Sequence, residues 1–354
     1  MEIFNADFAS LAEKSGQLIP EWLEEIYAQR WFKLFVPRDL GGLELSLPDA
    51  LKVEESLARL DGSLGWTVTL CAGAAWFVGF LDQDFSKEIF SNPKVCLAGS
   101  GHVGGKAEKQ DGFFLISGKW NYASGALHAT HFTANCELWE NEAPILDASG
   151  NPIVKAFILQ KNEVEILDAW HYMGMKATGS HAFRTNQLLV SKNRCFEIAP
   201  EKAIRSEAIY RFPFLQFAEA TLAVNILGIS FHLQELIRTT FWKRQGEKKL
   251  EKEYVDFFVM LEKKSQKKLD EKRMSFYHEV EKAWEELESQ GWISQATLQR
   301  VSKTSRKLTQ VCRKWNAKMY PFGGLEAARE DTELNRVWRD FNTVSQHSLL
   351  IFPF

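Results

Sequence analysis

The spacing of apolar residues changes twice along the chain, and these changes divide it into three parts. In residues 1–92 and 199–354, apolar residues recur every three or four positions, which predicts amphipathic helices. In residues 93–198, short runs such as Phe113–Ser117 and Val154–Gln160 are separated by glycine-containing turns, which is typical of strands. The sequence therefore predicts an α+β, mostly α fold. It has an N-terminal helical domain (1–92), a middle β-barrel or sandwich domain (93–198) and a C-terminal helical bundle (199–354).

The helical parts contain three segments that bear on the fold. Two long amphipathic runs meet at Gln290-Gly291 and predict an antiparallel helix pair. Leu334–Leu350 predicts one final helix. Leu64–Leu81 is the most apolar segment, but it contains three glycines and falls short of the ~20 apolar residues that span a bilayer. We therefore expect a buried core helix there and no membrane insertion.

Charge and cysteine content exclude several classes of protein. The net charge of -3 gives no electrostatic reason to expect nucleic acid or an anionic membrane as a partner. The 5 cysteines are scattered without a C-x-x-C pair, which fits neither a disulfide framework nor a zinc site. Met1–Ser10 carries acids and no long apolar run, so no signal peptide is expected. These features predict a cytoplasmic protein with reduced thiols and no metal.

Two short motifs have simple structural interpretations. Gly99–Gly104 fits G-x-G-x-x-G, but a dinucleotide site needs a helix after the glycines, and a further strand follows instead. His128 and His131 are spaced H-x-x-H without a neighbouring carboxylate or thiol, so structural or surface histidines are favoured over metal ligands.

Six further features follow one another in a fixed order. They are Val36-Pro37 before Gly41-Gly42, Asp61–Trp66, Gly118–Gly125, Trp170–Ser180, Gly323-Gly324, and Arg336-x-x-Arg339-Asp340 before His347. This series resembles the acyl-CoA dehydrogenase superfamily over nearly the whole chain. The forms G-x-W-x-[FY]-A-S-G and G-M-x-x-T-G-S-H resemble its two-component flavin-dependent monooxygenase branch more than its dehydrogenases. The resemblance implies a C-terminal four-helix bundle, a flavin held between that bundle and the β-domain, and a homodimer or homotetramer.

The same resemblance implies which residues contact the flavin, FAD or FMN. Hydroxyl groups and backbone would approach the isoalloxazine ring, an aromatic side chain would pack on it, and a glycine pair would approach the cofactor tail. The positions that match are Ser100, Trp120, Tyr122, Ser124, Thr178, Ser180, Gly323 and Gly324. For Trp120, a simple core position is the alternative. Arg339-Asp340 matches an ion pair that would position the last helix.

The absence of one acid points to the reaction. An acyl-CoA dehydrogenase needs a carboxylate base, but no acid follows Asp340, and His347 stands in that region. The resemblance therefore implies a monooxygenase that takes reduced flavin from a separate reductase and oxygenates a small, aromatic substrate beside His347. A bundle histidine without chemistry is the alternative for His347.

Two other functions stay open at this point. Glu219 on the first bundle helix is close to the position of the base in some dehydrogenases, which would make the chain an acyl-CoA dehydrogenase, unless Glu219 is a surface acid. A degenerate, cofactor-free family member that acts as a binding protein is the third hypothesis.

Overall fold

The computed structural model describes residues 3–352 and shows helices at both ends of the chain with strands between them. The N-terminal helices are α1 (Ala6–Ser15), α2 (Pro20–Ala28), α3 (Leu47–Leu60), α4 (Gly62–Ala75) and α5 (Gln83–Phe90). The strands are β1 (Leu97–Lys109), β2 (Phe113–Ala123), β3 (His131–Glu140), β4 (Ala143–Pro144), β5 (Val154–Gln160), β6 (Glu165–Leu167), β7 (His181–Ser191) and β8 (Cys195–Phe196). The C-terminal helices are α6 (Phe214–Lys248), α7 (Lys252–Gln290), α8 (Gln295–Met319), α9 (Leu325–Ala328), α10 (Glu333–Val344) and α11 (Ser348–Ile351).

Two helical segments are long and apolar enough to cross a membrane by length and composition alone, and both lie mainly inside the protein. They are Gly62–Phe80 and Phe214–Lys248, whose most apolar windows are 89% and 78% buried. Leu64–Leu81 is thus a buried core segment, as predicted. It begins where Asp61 accepts a hydrogen bond from the Leu64 amide and so caps α4 directly after α3 ends.

Close helix packing in the core depends on two glycines. A Cβ at Gly65 on α4 would lie 2.4 Å from the Cα of Ala58 on α3. A Cβ at Gly228 on α6 would lie 2.8 Å from the Ala58 Cβ. Only glycine lets α4 and α6 approach Ala58 this closely. These contacts fix α4, which carries part of the site described below.

The strands form one sheet that curls around its own apolar core. The strand order is β6-β7-β2-β1-β3-β5-β8, with β4 paired to β3. Phe132 on β3 contacts Phe183 on β7 with ring centroids 4.6 Å apart, and Phe114 on β2 contacts Phe157 on β5 at 5.1 Å. Neither pair lies on neighbouring strands, so the sheet must fold over on itself. We call this single curled sheet the barrel, although its edge strands β6 and β8 do not pair with each other; the described strands do not divide into two stacked sheets.

The G-x-G-x-x-G segment is explained by the packing of this barrel. β1 continues through Gly99–Gly104, and no helix follows before β2. A Cβ at Gly105 would lie 2.3 Å from the indole of Trp120, and one at Gly104 would lie 2.2 Å from the Lys119 carbonyl oxygen. The glycines therefore make room for a buried tryptophan, and the dinucleotide interpretation is excluded.

The bundle follows the prediction except near its end. α7 ends at Gln290, Gly291 adopts a left-handed φ of 83°, and α8 follows, as predicted for a helix pair. The predicted single helix Leu334–Leu350 is wrong, because α10 ends at Val344 and α11 starts at Ser348. His347 lies in this break with an extended backbone and accepts a hydrogen bond from the Leu349 amide, so it caps α11. Helical periodicity continues across the break and hides it from the sequence.

A buried charge cluster joins the three parts of the chain. Arg336 on α10 pairs with Asp61 between α3 and α4, and it lies 3.9 Å from Asp340. Asp340 accepts a hydrogen bond from the Met175 amide in the loop between β6 and β7. The predicted Arg339-Asp340 ion pair is therefore wrong. Arg339 instead pairs with Glu13 on α1, because consecutive helical residues point in different directions.

Candidate active site

A large cavity opens where α4, β2, the β6–β7 loop and α10 meet. Its volume is about 660 Å³. Its lining residues include the aromatic Trp66, Tyr122, Trp170, Tyr172 and Trp338, the polar Ser124, Ser180 and His347, and the apolar Leu70 and Met175. No lining side chain carries a fixed charge. Such walls suit a planar, largely apolar ligand with a few polar atoms at its edge.

The aromatic wall of this cavity has a defined geometry. The rings of Trp170 and Tyr172 lie 4.2 Å apart, and the Tyr172 hydroxyl is 3.0 Å from the Tyr122 hydroxyl. Tyr122 and Met175 both have left-handed backbone conformations, with φ of 67° and 56°. Such conformations cost free energy in residues other than glycine and are concentrated at functional sites. Here they turn two cavity-lining residues toward the ligand space.

A line of hydroxyl groups runs along one side of the large cavity. The Trp66 indole N–H donates to Ser124 Oγ over 3.2 Å, and Ser124 Oγ lies 2.8 Å from Ser180 Oγ. Ser180 Oγ lies 2.6 Å from Thr178 Oγ1, which donates to the Met175 carbonyl over 2.7 Å. The Thr178 hydrogen is used on the Met175 carbonyl, so Ser180 donates to Thr178 and Ser124 donates to Ser180. A ligand oxygen or nitrogen that accepts from Ser124 or Ser180 would redirect one of these hydrogens.

A second, smaller cavity adjoins the first. Its volume is about 200 Å³, and it lies between α4, α6 and the Gly99–Gly101 segment of β1. Apolar groups dominate its wall, and the polar groups on it include Thr69, Ser100 and Asn135. The lining includes no Asp, Glu, Lys or Arg. This space suits a small uncharged molecule.

His347 and Leu70 line both cavities and so form the wall between them. Burial lowers the pKa of His347, which keeps the imidazole neutral near pH 7. Its Nδ1 accepts from the Leu349 amide over 3.4 Å, and its ring packs beside Trp66 with centroids 5.9 Å apart. Since Nδ1 is the acceptor, the neutral ring carries its hydrogen on Nε2. The geometry therefore favours donation of a hydrogen bond from Nε2 over acceptance of a proton there.

A buried polar group lies directly behind the smaller cavity. Thr69 Oγ1 accepts a hydrogen bond from Asn225 Nδ2 over 2.6 Å. Glu54 on α3 is fully buried, and neither of its carboxyl oxygens has a hydrogen-bond partner among the described residues. Burial raises the pKa of Glu54 well above its usual range, and the nearby Thr69 hydroxyl lowers it to a smaller extent.

Five of the residues predicted to bind flavin lie on or directly behind the cavity walls. Tyr122, Ser124 and Ser180 line the large cavity, Ser100 lines the small one, and Thr178 supports Ser180 from behind. Their role in flavin binding stays a prediction. Trp66 and Trp170 stand out in the sequence only as parts of motifs, and Tyr172 and Thr69 were not predicted. Nothing in their local sequence separates them from ordinary core or loop residues.

Trp120 lies elsewhere. It is fully buried in the barrel core, where it stacks on Phe183 at 5.0 Å and donates to the Asn135 carbonyl over 2.8 Å. Trp120 was predicted to pack against the flavin ring, and the structure corrects this to a role in the barrel core. Strand alternation would place Trp120 and Tyr122 on one face, but the β2–β7 register shifts between Trp120 and Ala123. This bulge turns Tyr122 to the cavity.

The remaining predicted residues line neither cavity. Glu219 is fully buried, which corrects the surface-acid interpretation, and its Oε1 accepts from Arg306 Nε on α8 over 2.8 Å. Gly323 and Gly324 follow α8, and a Cβ at Gly324 would lie 2.5 Å from Arg244 Nη1. Their contact with a cofactor tail stays a prediction.

Histidine pairs and metal-like clusters offer no competing site. His128 Nε2 accepts from the Leu18 amide over 3.2 Å, and His131 Nδ1 lies 2.9 Å from the Thr130 hydroxyl. Within residues 3–352, no group of three or more His, Cys, Asp or Glu side chains is arranged to hold a metal ion. Both histidines thus make structural hydrogen bonds.

Comparisons with known proteins agree with this geometry. Residues 263–352 match the family described as acyl-CoA dehydrogenase, C-terminal domain. The chain is 25% identical over 326 residues to an indole-3-acetate monooxygenase of Acinetobacter baumannii, a match that covers 90% of this chain and 80% of that protein. It is 28% identical over 232 residues to a pigment production hydroxylase of Rhodococcus sp.. That match covers 63% of this chain and spans only 58% of the hydroxylase.

Solved structures share the fold over nearly the whole chain. The HsaA monooxygenase from M. tuberculosis superposes with a TM-score of 0.89 at 20% identity, covering 99% of this chain and 91% of that one. XiaF from Streptomyces sp., in complex with FADH2 and glycerol, superposes with a TM-score of 0.86 at 19% identity, covering 99% and 89%. The predicted fold class is confirmed.

Proposed function

We propose that this chain oxygenates a small aromatic substrate with reduced flavin and O2. The premise is that it is an acyl-CoA dehydrogenase-like protein related to the two-component flavin-dependent monooxygenases. One observation carries the proposal. A cavity with aromatic and hydroxyl walls adjoins a cavity the size of one aromatic ring, and His347 faces both. The names of the relatives support it, since they include a flavin-dependent monooxygenase oxygenase subunit and an FADH2-dependent resorcinol hydroxylase.

The residues of the large cavity fit a flavin ring. Tyr122, Trp170 and Tyr172 provide flat apolar surfaces, and Ser124 and Ser180 provide hydroxyl groups toward a polar ring edge. When bound, reduced flavin supplies the two electrons that activate O2. The protein contributes aromatic walls without fixed charges, which would displace water from the ring when flavin is bound.

His347 is positioned to assist oxygen transfer. Its Nε2–H is directed by the Nδ1 contact to Leu349, and its position on the shared wall gives it access to both ligand spaces. A hydrogen-bond donor there would stabilise negative charge that develops on oxygen during transfer to the substrate. A neutral donor also avoids the cost of burying an imidazolium in this apolar wall.

The dehydrogenase alternative has no support from the site. A base must reach the proton that it removes, and Glu219 lines neither cavity and is paired with Arg306. Neither cavity wall contains a carboxylate.

Several finer points belong to the same proposal. A separate flavin reductase supplies reduced flavin, since relatives are named as oxygenase subunits or components. The FADH2 complex of XiaF favours FAD over FMN. We also propose a cytoplasmic homodimer or homotetramer in which the Gly323-Gly324 segment approaches the cofactor tail.

Visible absorption spectroscopy tests the proposal. The purified protein is titrated with FAD and FMN, reduced without oxygen, and then mixed with oxygenated buffer in a stopped-flow instrument. We expect flavin binding and a transient absorption band before the oxidised spectrum returns. Colourless protein that fails to bind either flavin would remove the proposed function. Bleaching of the oxidised flavin by an acyl-CoA would favour the dehydrogenase instead.

A further inference from the structure

We propose that the smaller cavity binds one uncharged aromatic ring that carries a hydroxyl group, and that Thr69 is the specificity-determining contact to this hydroxyl. This inference rests on the proposed function and names its substrate class. The size of the cavity sets the first limit. An apolar cavity of roughly 150 Å³ is enough to hold benzene, so about 200 Å³ accommodates a single ring with small substituents. A second fused ring has less room there.

The charge of the walls sets the second limit. An ionised carboxylate needs a cation or several donors when it leaves water, and an unpaired buried charge costs many kcal/mol. Neither cavity has a lysine or arginine on its wall. Acids are therefore excluded, whereas neutral phenols are admitted.

Hydrogen bonds on the wall distinguish Thr69 from two other polar groups that line the cavity, those of Thr221 and Asn135. Thr221 Oγ1 donates to the Ala218 carbonyl over 3.1 Å, so its hydrogen is committed to its own helix. The Asn135 amide group donates to the carbonyls of Ser100 and Gly101 over 3.4 Å each. Thr69, in contrast, accepts from Asn225 behind it and keeps its own hydrogen available.

The position of Thr69 follows from the same contacts. Asn225 Nδ2 also donates to the Thr221 carbonyl over 3.0 Å, so both of its hydrogens are used and the amide is fixed in orientation. The threonine oxygen is therefore held from behind. The Thr69 hydroxyl can donate its hydrogen either to the Glu54 carboxyl or into the cavity. A substrate oxygen in the cavity would accept it. Ser100, on the β1 side of the cavity, accepts from the His102 amide and serves as the comparison residue.

Calorimetric titration tests this inference independently of turnover. The protein, alone and loaded with reduced FAD without oxygen, is titrated with phenol, 4-methylphenol, 4-hydroxybenzoate and 2-naphthol. The second and third ligands have similar shapes and differ in charge. We expect 4-methylphenol to bind at least about tenfold more tightly than 4-hydroxybenzoate, because the acid must lose hydration without a partner. We expect 2-naphthol to bind more weakly than phenol, because of its size.

Two variants test Thr69. Thr69→Val keeps the shape and removes the hydroxyl, and should weaken 4-methylphenol by about 3- to 10-fold. Thr69→Ser keeps the hydroxyl and should bind within about twofold of the unaltered protein. Toluene, which lacks the hydroxyl, should bind equally to all three proteins. Ser100→Ala should affect 4-methylphenol less than Thr69→Val does.

The outcomes separate this inference from the proposed function. Equal binding of 4-methylphenol and 4-hydroxybenzoate, or tight binding of 2-naphthol, would overturn the substrate class even if flavin binds and reacts with oxygen. An unchanged affinity in Thr69→Val would overturn the assignment of Thr69. Failure to bind flavin, with the phenol selectivity intact, would remove the monooxygenase and leave a phenol-binding cavity.

Discussion

Gly73 offers a direct way to shrink the smaller cavity without disturbing the fold. It lines that cavity near the end of α4, and a Cβ there would meet only Phe217 Cε1, at 3.9 Å. Gly73→Ala therefore introduces no clash. Because alanine is a better helix former than glycine, we expect the free energy of unfolding to rise by about 0.5–1 kcal/mol. Urea unfolding followed by circular dichroism measures this change.

The same methyl group reduces the space for a ligand. It occupies on the order of 30 Å³, about the share of one water molecule in the liquid. About 170 Å³ of the original 200 Å³ then remains. This still exceeds the roughly 150 Å³ that holds benzene. We therefore expect Gly73→Ala to bind phenol almost normally and 4-methylphenol more weakly, whereas Gly73→Val should lose both.

A second glycine provides the control. Gly246 lies near the end of α6, as Gly73 does on α4, and no heavy atom lies within 4 Å of a Cβ built there. Gly246→Ala should raise stability by a similar amount and leave ligand binding unchanged. If Gly73→Ala binds 4-methylphenol as tightly as the unaltered protein, the smaller cavity is not the substrate site. If Gly246→Ala shows the same loss of binding, the effect does not come from cavity volume.

Three other perturbations test separate parts of the structure. In a steady-state assay with the best phenol, His347→Ala should lower turnover by about 10²-fold or more. His347→Gln keeps an N–H donor and should retain more of the turnover. Equal losses in both variants would contradict the donor role. Burial lowers the pKa of His128 to about 4, so the unfolded chain takes up a proton first as pH falls below about 6.5. Stability should then decrease between pH 6.5 and 4 by up to about 3 kcal/mol, and His128→Gln, which can still accept from the Leu18 amide, should flatten this dependence in urea titrations at several pH values. Gly65→Ala should lower the free energy of unfolding by about 1–3 kcal/mol despite the better helix propensity of alanine, because the new Cβ would lie 2.4 Å from Ala58 Cα. A stabilised variant would show that α3 and α4 can separate at little cost.

The fold was predictable from the sequence because apolar periodicity reports how each segment meets its neighbours. The runs Phe113–Ser117 and Val154–Gln160 lie in β2 and β5, and Gln290-Gly291 ends α7, as predicted. Periodicity fails where the backbone departs from regular geometry. Trp120 and Tyr122 were both predicted to contact flavin, but the bulge after Trp120 leaves Trp120 in the core and turns only Tyr122 to the cavity.

The site was predictable only through the resemblance. Ser124 and Ser180 are 56 positions apart in sequence and share a hydrogen bond, which no local pattern reveals. The break before His347 was missed because helical spacing of apolar residues continues across it. Thr69 was missed because its environment is set by Asn225, on a different helix.

The cluster of Asp61, Arg336 and Asp340 joins all three parts of the chain and lines neither cavity. The charged side chains that hold the parts in register are therefore different from the side chains that face ligands, and Asp340 reaches the cavity wall through the backbone amide of Met175. Wall residues can change without releasing the charges that orient the walls. Substitution libraries restricted to the cavity linings should thus yield many folded proteins with altered ligand preference, whereas random changes at the three charged positions should yield mostly unfolded chains. A scaffold organised in this way can acquire new substrates by exchanging a few side chains.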